Sequence, residues 1–104
     1  MHLPPLIADK QAAIAALCRR SCARRLDLFG SGARPDFNAE RSDLDFLVVF
    51  DELPPVESFN AYFTLKEGLE LLFERQVDLV VERAIRNPYF KQRVQAERQP
   101  VYAA

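Results

Sequence analysis

The feature that most constrains the fold is a run of eight residues, Asp43 to Phe50, which places two carboxylates at the head of an apolar segment. Its later half is apolar on both faces, which is typical of a central strand covered on both sides. Asp43 and Asp45 are two residues apart, so on a strand their side chains point to the same face, roughly 6.5–7 Å apart along the chain. Two such carboxylates repel each other, and burying either without a partner is costly. The run therefore predicts a strand that carries a cation site at its start.

The rest of the chain alternates between helical and extended patterns. Helices are predicted over residues 8–23, 59–74 and 89–98, with Ser58 as the N-cap of the second and Asn87-Pro88 as the start of the third. Strands are predicted over residues 25–29, 43–50 and 76–82, with a loop or short helix over 33–42 and an apolar tail, Val101-Tyr102, that docks on the body. This order predicts a layered α/β domain with a small sheet.

Length and composition limit the classes of function. With 104 residues, 49% of them hydrophobic, the chain is expected to form one globular domain over residues 1–104. A net charge of −1 argues against a nucleic-acid partner. No apolar run reaches the ~18 residues that a membrane helix needs. The first residues also lack the pattern of a signal peptide, so the expected location is the cytoplasm.

The two cysteines, Cys18 and Cys22, would share one face of the first helix. Because two thiols alone cannot complete a tetrahedral zinc site, we interpret them as small residues that face the core in a reducing compartment.

A third acid, Asp78, lies inside the predicted strand Val77-Asp78-Leu79-Val80. If this strand is a neighbour of residues 43–50, Asp78 faces the same site as Asp43 and Asp45. Three acids around one cleft fit two divalent ions ~3.5–4 Å apart, and Mg²⁺ suits carboxylates that share it with substrate phosphates. Taken alone, Asp78 is also compatible with a charge that protects an edge strand from aggregation.

The turn at Gly30-Ser31-Gly32 ends a predicted strand and opens a possible helix. Gly30 permits a positive φ and a close backbone approach, and free N–H groups at a helix start can bind phosphate oxygens. Ser31 adds a hydroxyl, while Arg34 and Arg41 in the following loop can neutralise phosphate charge. An ordinary loop is the alternative interpretation, but the turn and the acids together favour a site for a nucleoside triphosphate.

These residues resemble a known signature. Phe29-Gly30-Ser31, eleven intervening residues and then Asp43-Leu44-Asp45-Phe46 are similar to the motif of the DNA polymerase beta-like nucleotidyltransferase superfamily. The whole chain, including Val77-Asp78-Leu79-Val80 and the tail from Asn87-Pro88 to Tyr102, resembles the minimal nucleotidyltransferases. Pro35-Asp36 departs from that pattern, since many relatives carry a glycine after the arginine.

The resemblance implies a fold and a site. The fold would be a mixed three-stranded sheet flanked by helices in the order α-β-α-β-α-β. Asp43, Asp45 and Asp78 would be the metal and catalytic carboxylates, with Gly30 and Ser31 at the phosphates.

The activity implied by the resemblance is transfer of a nucleoside monophosphate, expected to be AMP from ATP, to a hydroxyl, with Mg²⁺. The chain would be the antitoxin that adenylylates a tyrosine of a HEPN-type toxin. Two alternatives stay open: an antitoxin that acts by binding alone, and a small-molecule nucleotidyltransferase that works with a partner subunit. Self-association also stays open.

Overall fold

The computed structural model describes residues 3–33 and 43–104, which form two helical layers around one sheet. The helices are α1 (Pro5–Ala8), α2 (Gln11–Arg20), α3 (Pro55–Phe73) and α4 (Pro88–Glu97). The strands are β1 (Ala23–Phe29), β2 (Leu44–Phe50), β3 (Val77–Val81) and β4 (Gln99–Ala103), and 3₁₀ turns follow β1 and β3 at Gly30–Ala33 and Glu82–Ala84. No helix within the described ranges is long and apolar enough to cross a membrane.

The sheet is mixed, with the strand order β3-β2-β1-β4. β2 is antiparallel to β1 and parallel to β3, so the prediction that residues 43–50 form a central strand is confirmed. The predicted count of three strands is wrong, because the tail forms a fourth strand that pairs with β1. β4 contains Pro100 and buries only Val101, so it lacks the alternating pattern of a strand and fits an edge position.

Both faces of the sheet are covered. On one face, α2 and α3 pack against the inward side chains of β1, β2 and β3, with a core that includes Ile14, Leu65, Leu69 and Phe46. On the other face, α4 forms a smaller cluster around Phe29, Leu47 and Val94. Alternation along β2 places Asp45 on the same face as Leu47, which is the face that α4 covers.

The predicted start of α3 and the predicted position of the two cysteines need correction. α3 begins at Pro55 rather than at residue 59, because proline suits the first helical position instead of breaking the helix. Ser58 is therefore inside α3 rather than its N-cap, and its hydroxyl donates to the Leu53 carbonyl at 3.2 Å. Cys22 lies beyond the end of α2 at φ +60°, so it does not share a helix face with Cys18.

The two remaining helix predictions fare differently. The predicted helix 8–23 is shorter in the structure, where it is α2 (Gln11–Arg20), and a separate short helix, α1, ends at Ala8 before it. The start of α4 is confirmed, since the Asn87 side chain accepts hydrogen bonds from the Tyr89 and Phe90 N–H groups. Burial raises the pKa of Cys18 to about 12, so this thiol stays protonated and inert at neutral pH.

A buried ion network holds α4 and β4 against the sheet. The Asp27 side chain in β1 is fully buried and pairs with Arg98, which lies between α4 and β4. Arg98 also donates to Glu82, in the turn after β3, at 2.9 Å. Arg25 approaches Asp27 from the solvent side at 3.1 Å. One guanidinium thus ties together segments that are distant in sequence.

We expect Arg98→Ala to lower the free energy of unfolding by about 3–5 kcal/mol, because it leaves the buried Asp27 carboxylate short of a partner. Arg24→Ala is the matched control. Its ion pair with Asp51 spans 3.7 Å and is more than half exposed, so its loss should cost under about 1 kcal/mol. Urea unfolding followed by circular dichroism measures both values. Equal losses in the two variants would show that the buried network adds no stability.

Candidate active site

Two acids from neighbouring strands meet on the sheet face beside α4. The parallel register of β2 and β3 pairs Asp45 with Asp78, and both side chains line one cleft. Asp45 is half-buried, whereas Asp78 is exposed on the edge strand. This pairing places Asp78 beside Asp45, as expected for acids at matching positions of neighbouring strands. Two carboxyl groups in contact favour a shared proton or a cation between them.

The raised pKa of Asp45 shows that its ionised form is disfavoured in this arrangement. Burial, together with the hydrogen bond and charge of Asp78 and the charge of Asp43, raises the pKa of Asp45 to about 6. The Arg93 guanidinium acts in the opposite direction. Asp43 is exposed and lies just before β2, near enough for its charge to act on Asp45. A group with this profile, set in a cleft, is a candidate for function.

The glycine turn touches the same carboxylate. Gly30 has φ +68°, and a β-carbon at this position would overlap Asp45 Oδ2. The contact arises because β1 pairs Phe29 with Asp45, so the residue after Phe29 passes directly over the acid. Only glycine combines this φ with this close approach. The 3₁₀ turn, Asp45 and Asp78 therefore follow one another across β1, β2 and β3.

A cleft of about 290 Å³ opens at the acid pair. Its walls come from the sheet, α3 and α4, and its lining residues are Phe29, Asp45, Tyr62, Lys66, Asp78, Leu79, Val80, Phe90 and Arg93. Two cations in this set, Lys66 and Arg93, were not among the predicted site residues. One helical turn separates Tyr62 from Lys66 on α3 and Phe90 from Arg93 on α4, so each pair lies on one helix face. A cation one turn from an aromatic residue was therefore the sequence signal that could have predicted these two site residues.

Both cations are held in place. Lys66 Nζ lies 3.0 Å from Glu70 Oε2, and the same oxygen accepts a hydrogen bond from the Val77 N–H at the start of β3. Arg93 Cζ lies 5.4 Å from the centroid of the Phe90 ring. Phe90 packs edge-on against Phe29 with centroids 6.0 Å apart. The cleft is thus acidic on its floor and basic on its two helical walls.

Some predicted residues are not placed. Arg34 and Arg41 lie outside the described residues, and for Ser31 the structure describes the backbone turn only. Across residues 3–33 and 43–104, no three His, Cys, Asp or Glu side chains form a ready-made metal-binding group. The predicted cluster of three acids is therefore not preassembled. The Asp45–Asp78 pair still fits Mg²⁺, which commonly takes one or two carboxylates and completes its ligands with water and substrate phosphates.

Comparison with known proteins identifies the family of this chain. The profile of the nucleotidyltransferase domain family matches residues 11–101, and the chain belongs to that family. It is 39% identical over 74 residues to a Methanocaldococcus jannaschii protein named "Putative protein adenylyltransferase MJ1379", an alignment that covers 71% of this chain and 72% of the relative. The prediction of a nucleotidyltransferase is confirmed.

Solved structures share the fold. One described as "Structure of putative minimal nucleotidyltransferase" superposes with a TM-score of 0.73 at 36% identity, covering 90% of this chain and 91% of the other. Another belongs to a complex described as the tri-AMPylated Shewanella oneidensis HEPN toxin with MNT antitoxin. It superposes with a TM-score of 0.63 at 22% identity and covers 94% of this chain and 73% of the other. At this identity the second likeness concerns the fold alone.

We expect Asp45→Asn to stabilise the metal-free protein above pH 6 but not near pH 4. The native pKa of Asp45 is about 6 and its ordinary value is 3.8, so the wild type loses stability as the pH rises through this window. The asparagine does not titrate, and solvent screening at a half-buried position limits its advantage to about 1 kcal/mol. Urea unfolding in chelator at pH 4 and pH 7.5 measures the difference. A stability advantage of Asp45→Asn that shrinks with rising pH would contradict the raised pKa of Asp45.

Proposed function

We propose that the protein is a magnesium-dependent adenylyltransferase that moves AMP from ATP to a hydroxyl of a partner protein, a HEPN-type toxin. The observation that carries this proposal is the contact of the Gly30 turn with Asp45, which in turn is paired with Asp78. A backbone turn suited to phosphate and an acid pair suited to a cation lie side by side in one cleft. That combination suits a nucleoside triphosphate bound together with its metal better than it suits a phosphate or a cation alone.

Each predicted residue has a role in this proposal. Asp43, Asp45 and Asp78 would hold magnesium, with two ions as the expected number. Gly30 and Ser31 would bind the phosphates through backbone N–H groups and the serine hydroxyl, with Arg34 and Arg41 adding positive charge. When bound, the metal supplies charge neutralisation at the phosphates and lowers the pKa of an attacking hydroxyl.

Lys66 and Arg93 extend the same arrangement. They face the acid pair from α3 and α4, and each is already anchored on its own helix. Fixed cations beside the α-phosphate stabilise the charge that spreads over its oxygens as the bond breaks. Their anchored side chains lose little freedom on binding, which favours a positioned transition state.

The reaction balances without any further reactant. The acceptor oxygen attacks the α-phosphorus of ATP and forms a new P–O bond, while the bond from the α-phosphorus to the oxygen bridging to the β-phosphate breaks. Pyrophosphate leaves with that electron pair. The hydroxyl proton passes to the Asp78 carboxylate and from there to solvent, because Asp78 is the exposed member of the pair.

A protein acceptor is supported by the relatives of this chain. The M. jannaschii relative bears the name of a protein adenylyltransferase, and one fold neighbour comes from a complex with an AMPylated HEPN toxin. Both favour a tyrosine on a separate protein over a small molecule.

Co-expression with a HEPN-type toxin, followed by intact-mass and peptide mass spectrometry, tests the proposal. We expect AMP additions on a toxin tyrosine that fall by at least about 100-fold with Asp43→Asn or Asp45→Asn, since a metal ligand is lost. Asp51→Asn, an exposed acid outside the cleft, is the matched control and should retain transfer. An unmodified toxin that is nevertheless neutralised in a stable complex would refute catalysis and favour the binding-only alternative.

A further inference from the structure

A second, larger groove leads away from the acid pair along the outer side of β3. Its volume is about 630 Å³, and its lining residues are Tyr62, Leu79, Val80, Val81, Ala84, Ile85, Arg86, Asn87 and Phe90. Four of these residues, Tyr62, Leu79, Val80 and Phe90, also line the cleft at the acids. The groove and the cleft therefore adjoin each other, and the proposed reaction does not use the groove.

We propose that this groove is the docking site for the partner segment that presents the acceptor tyrosine, and that acidic residues flank this tyrosine. The proposal rests on the adenylyltransferase function proposed above. It adds where the acceptor binds and what chemistry surrounds it.

The direction of the reaction places the acceptor on this side. Gly30, Asp45 and Asp78 succeed one another across β1, β2 and β3, so a triphosphate on the glycine turn has its pyrophosphate on the β1 side. In an in-line displacement the attacking oxygen approaches opposite the leaving oxygen. It must therefore arrive from the β3 side, past Asp78, and the groove begins there.

The walls of the groove suit an aromatic ring. Tyr62 and Phe90 belong to both cavities, and each ring is fixed. The Tyr62 hydroxyl donates to the Leu79 carbonyl at 2.8 Å, and Phe90 packs edge-on against Phe29. Aromatic pairs with offset or edge-on geometry stabilise each other beyond the burial of apolar area. A preformed apolar slot of this kind binds a phenol ring with little reorganisation.

The exposed side chains that flank the groove indicate that its occupant is a protein rather than a free nucleoside. Large apolar side chains stand exposed beside it: Phe59 is 63% exposed and Phe63 is 41% exposed on α3, while Tyr89 is 81% exposed on α4. The Phe59 and Phe63 rings lie 4.8 Å apart, and Phe63 contacts Tyr62 at 5.1 Å. Exposed aromatic groups of this density are typical of protein interfaces.

The positive charge at the groove favours acidic residues in the partner segment. Arg86 is the one charged residue among the lining residues that the structure describes. Arg83, one position before Ala84, is also exposed. A positive rim steers acidic residues toward it and disfavours basic ones. The partner tyrosine is therefore expected beside aspartate or glutamate.

Nuclear magnetic resonance titration of the ¹⁵N-labelled chain with two peptides tests the proposal. One five-residue peptide carries a central tyrosine between acidic residues, and the other carries it between lysines. We expect the acidic peptide to shift the amide signals of residues 79–90, with an affinity roughly tenfold above that of the lysine peptide. Equal affinities, or shifts confined to other surfaces, would overturn the proposal.

Groove variants separate the acceptor from the nucleotide. Ala84→Trp fills the groove and Arg86→Glu reverses its charge. Each should therefore lower the affinity for the acidic peptide roughly tenfold or more and leave the affinity for ATP unchanged. Ala96→Trp and Arg19→Glu, exposed positions that do not line the groove, are the matched controls. Wild-type peptide binding by both groove variants would refute the docking site, and a loss of ATP binding by Ala84→Trp would assign the groove to the nucleotide. Because the titration needs no ATP, a failure of AMP transfer alone would refute only the proposed catalysis.

Discussion

The site depends on the contact between the Gly30 backbone and the Asp45 carboxylate. Antiparallel pairing brings Phe29 opposite Asp45, so the chain must turn immediately over the acid, and a positive φ without a side chain is the conformation that allows it. Parallel pairing on the other side of β2 then brings Asp78 to the same carboxylate. Two register choices in one small sheet therefore assemble a turn and two acids from segments far apart in sequence.

The helical layer over this face completes the cleft and depends on a different interaction. α4 carries Phe90 and Arg93, and the buried pair of Asp27 with Arg98 fixes the segment that follows α4 against the sheet. Glu82 links the same guanidinium to the turn after β3, and Ala84 of this turn lines the larger groove. This network therefore holds the end of α4, the helix that carries Arg93, against the sheet.

Much of this arrangement could be predicted from the sequence, because the informative residues violate local expectations. Asp45 and Asp78 are carboxylates in strands that are otherwise apolar, and Gly30 follows a strand directly, so each is conspicuous in its own segment. The family resemblance then relates them to one another. The nucleotidyltransferase class and the mixed sheet followed from these signals, while the assignment of individual residues to metal and phosphate remains a proposal.

Other features could not be predicted, because their causes are long-range. Arg98 and Asp27 are 71 residues apart in sequence, and neither segment alone shows that the other will bury its charge. β4 is held by its pairing with β1 rather than by its own composition, which includes Pro100. Lys66 and Arg93 look like ordinary charges on helix surfaces until the packing of α3 and α4 turns them toward the acids.

We expect the Gly30 turn and the acid pair to form one site that is complete only with a cation and a triphosphate. Isothermal titration of the wild-type chain with ATP, in Mg²⁺ and again in excess chelator, measures this dependence. ATP should bind in Mg²⁺ and lose at least about 100-fold in affinity in chelator, because the Asp45–Asp78 pair repels an unaccompanied triphosphate. Equal affinity under the two conditions would contradict it.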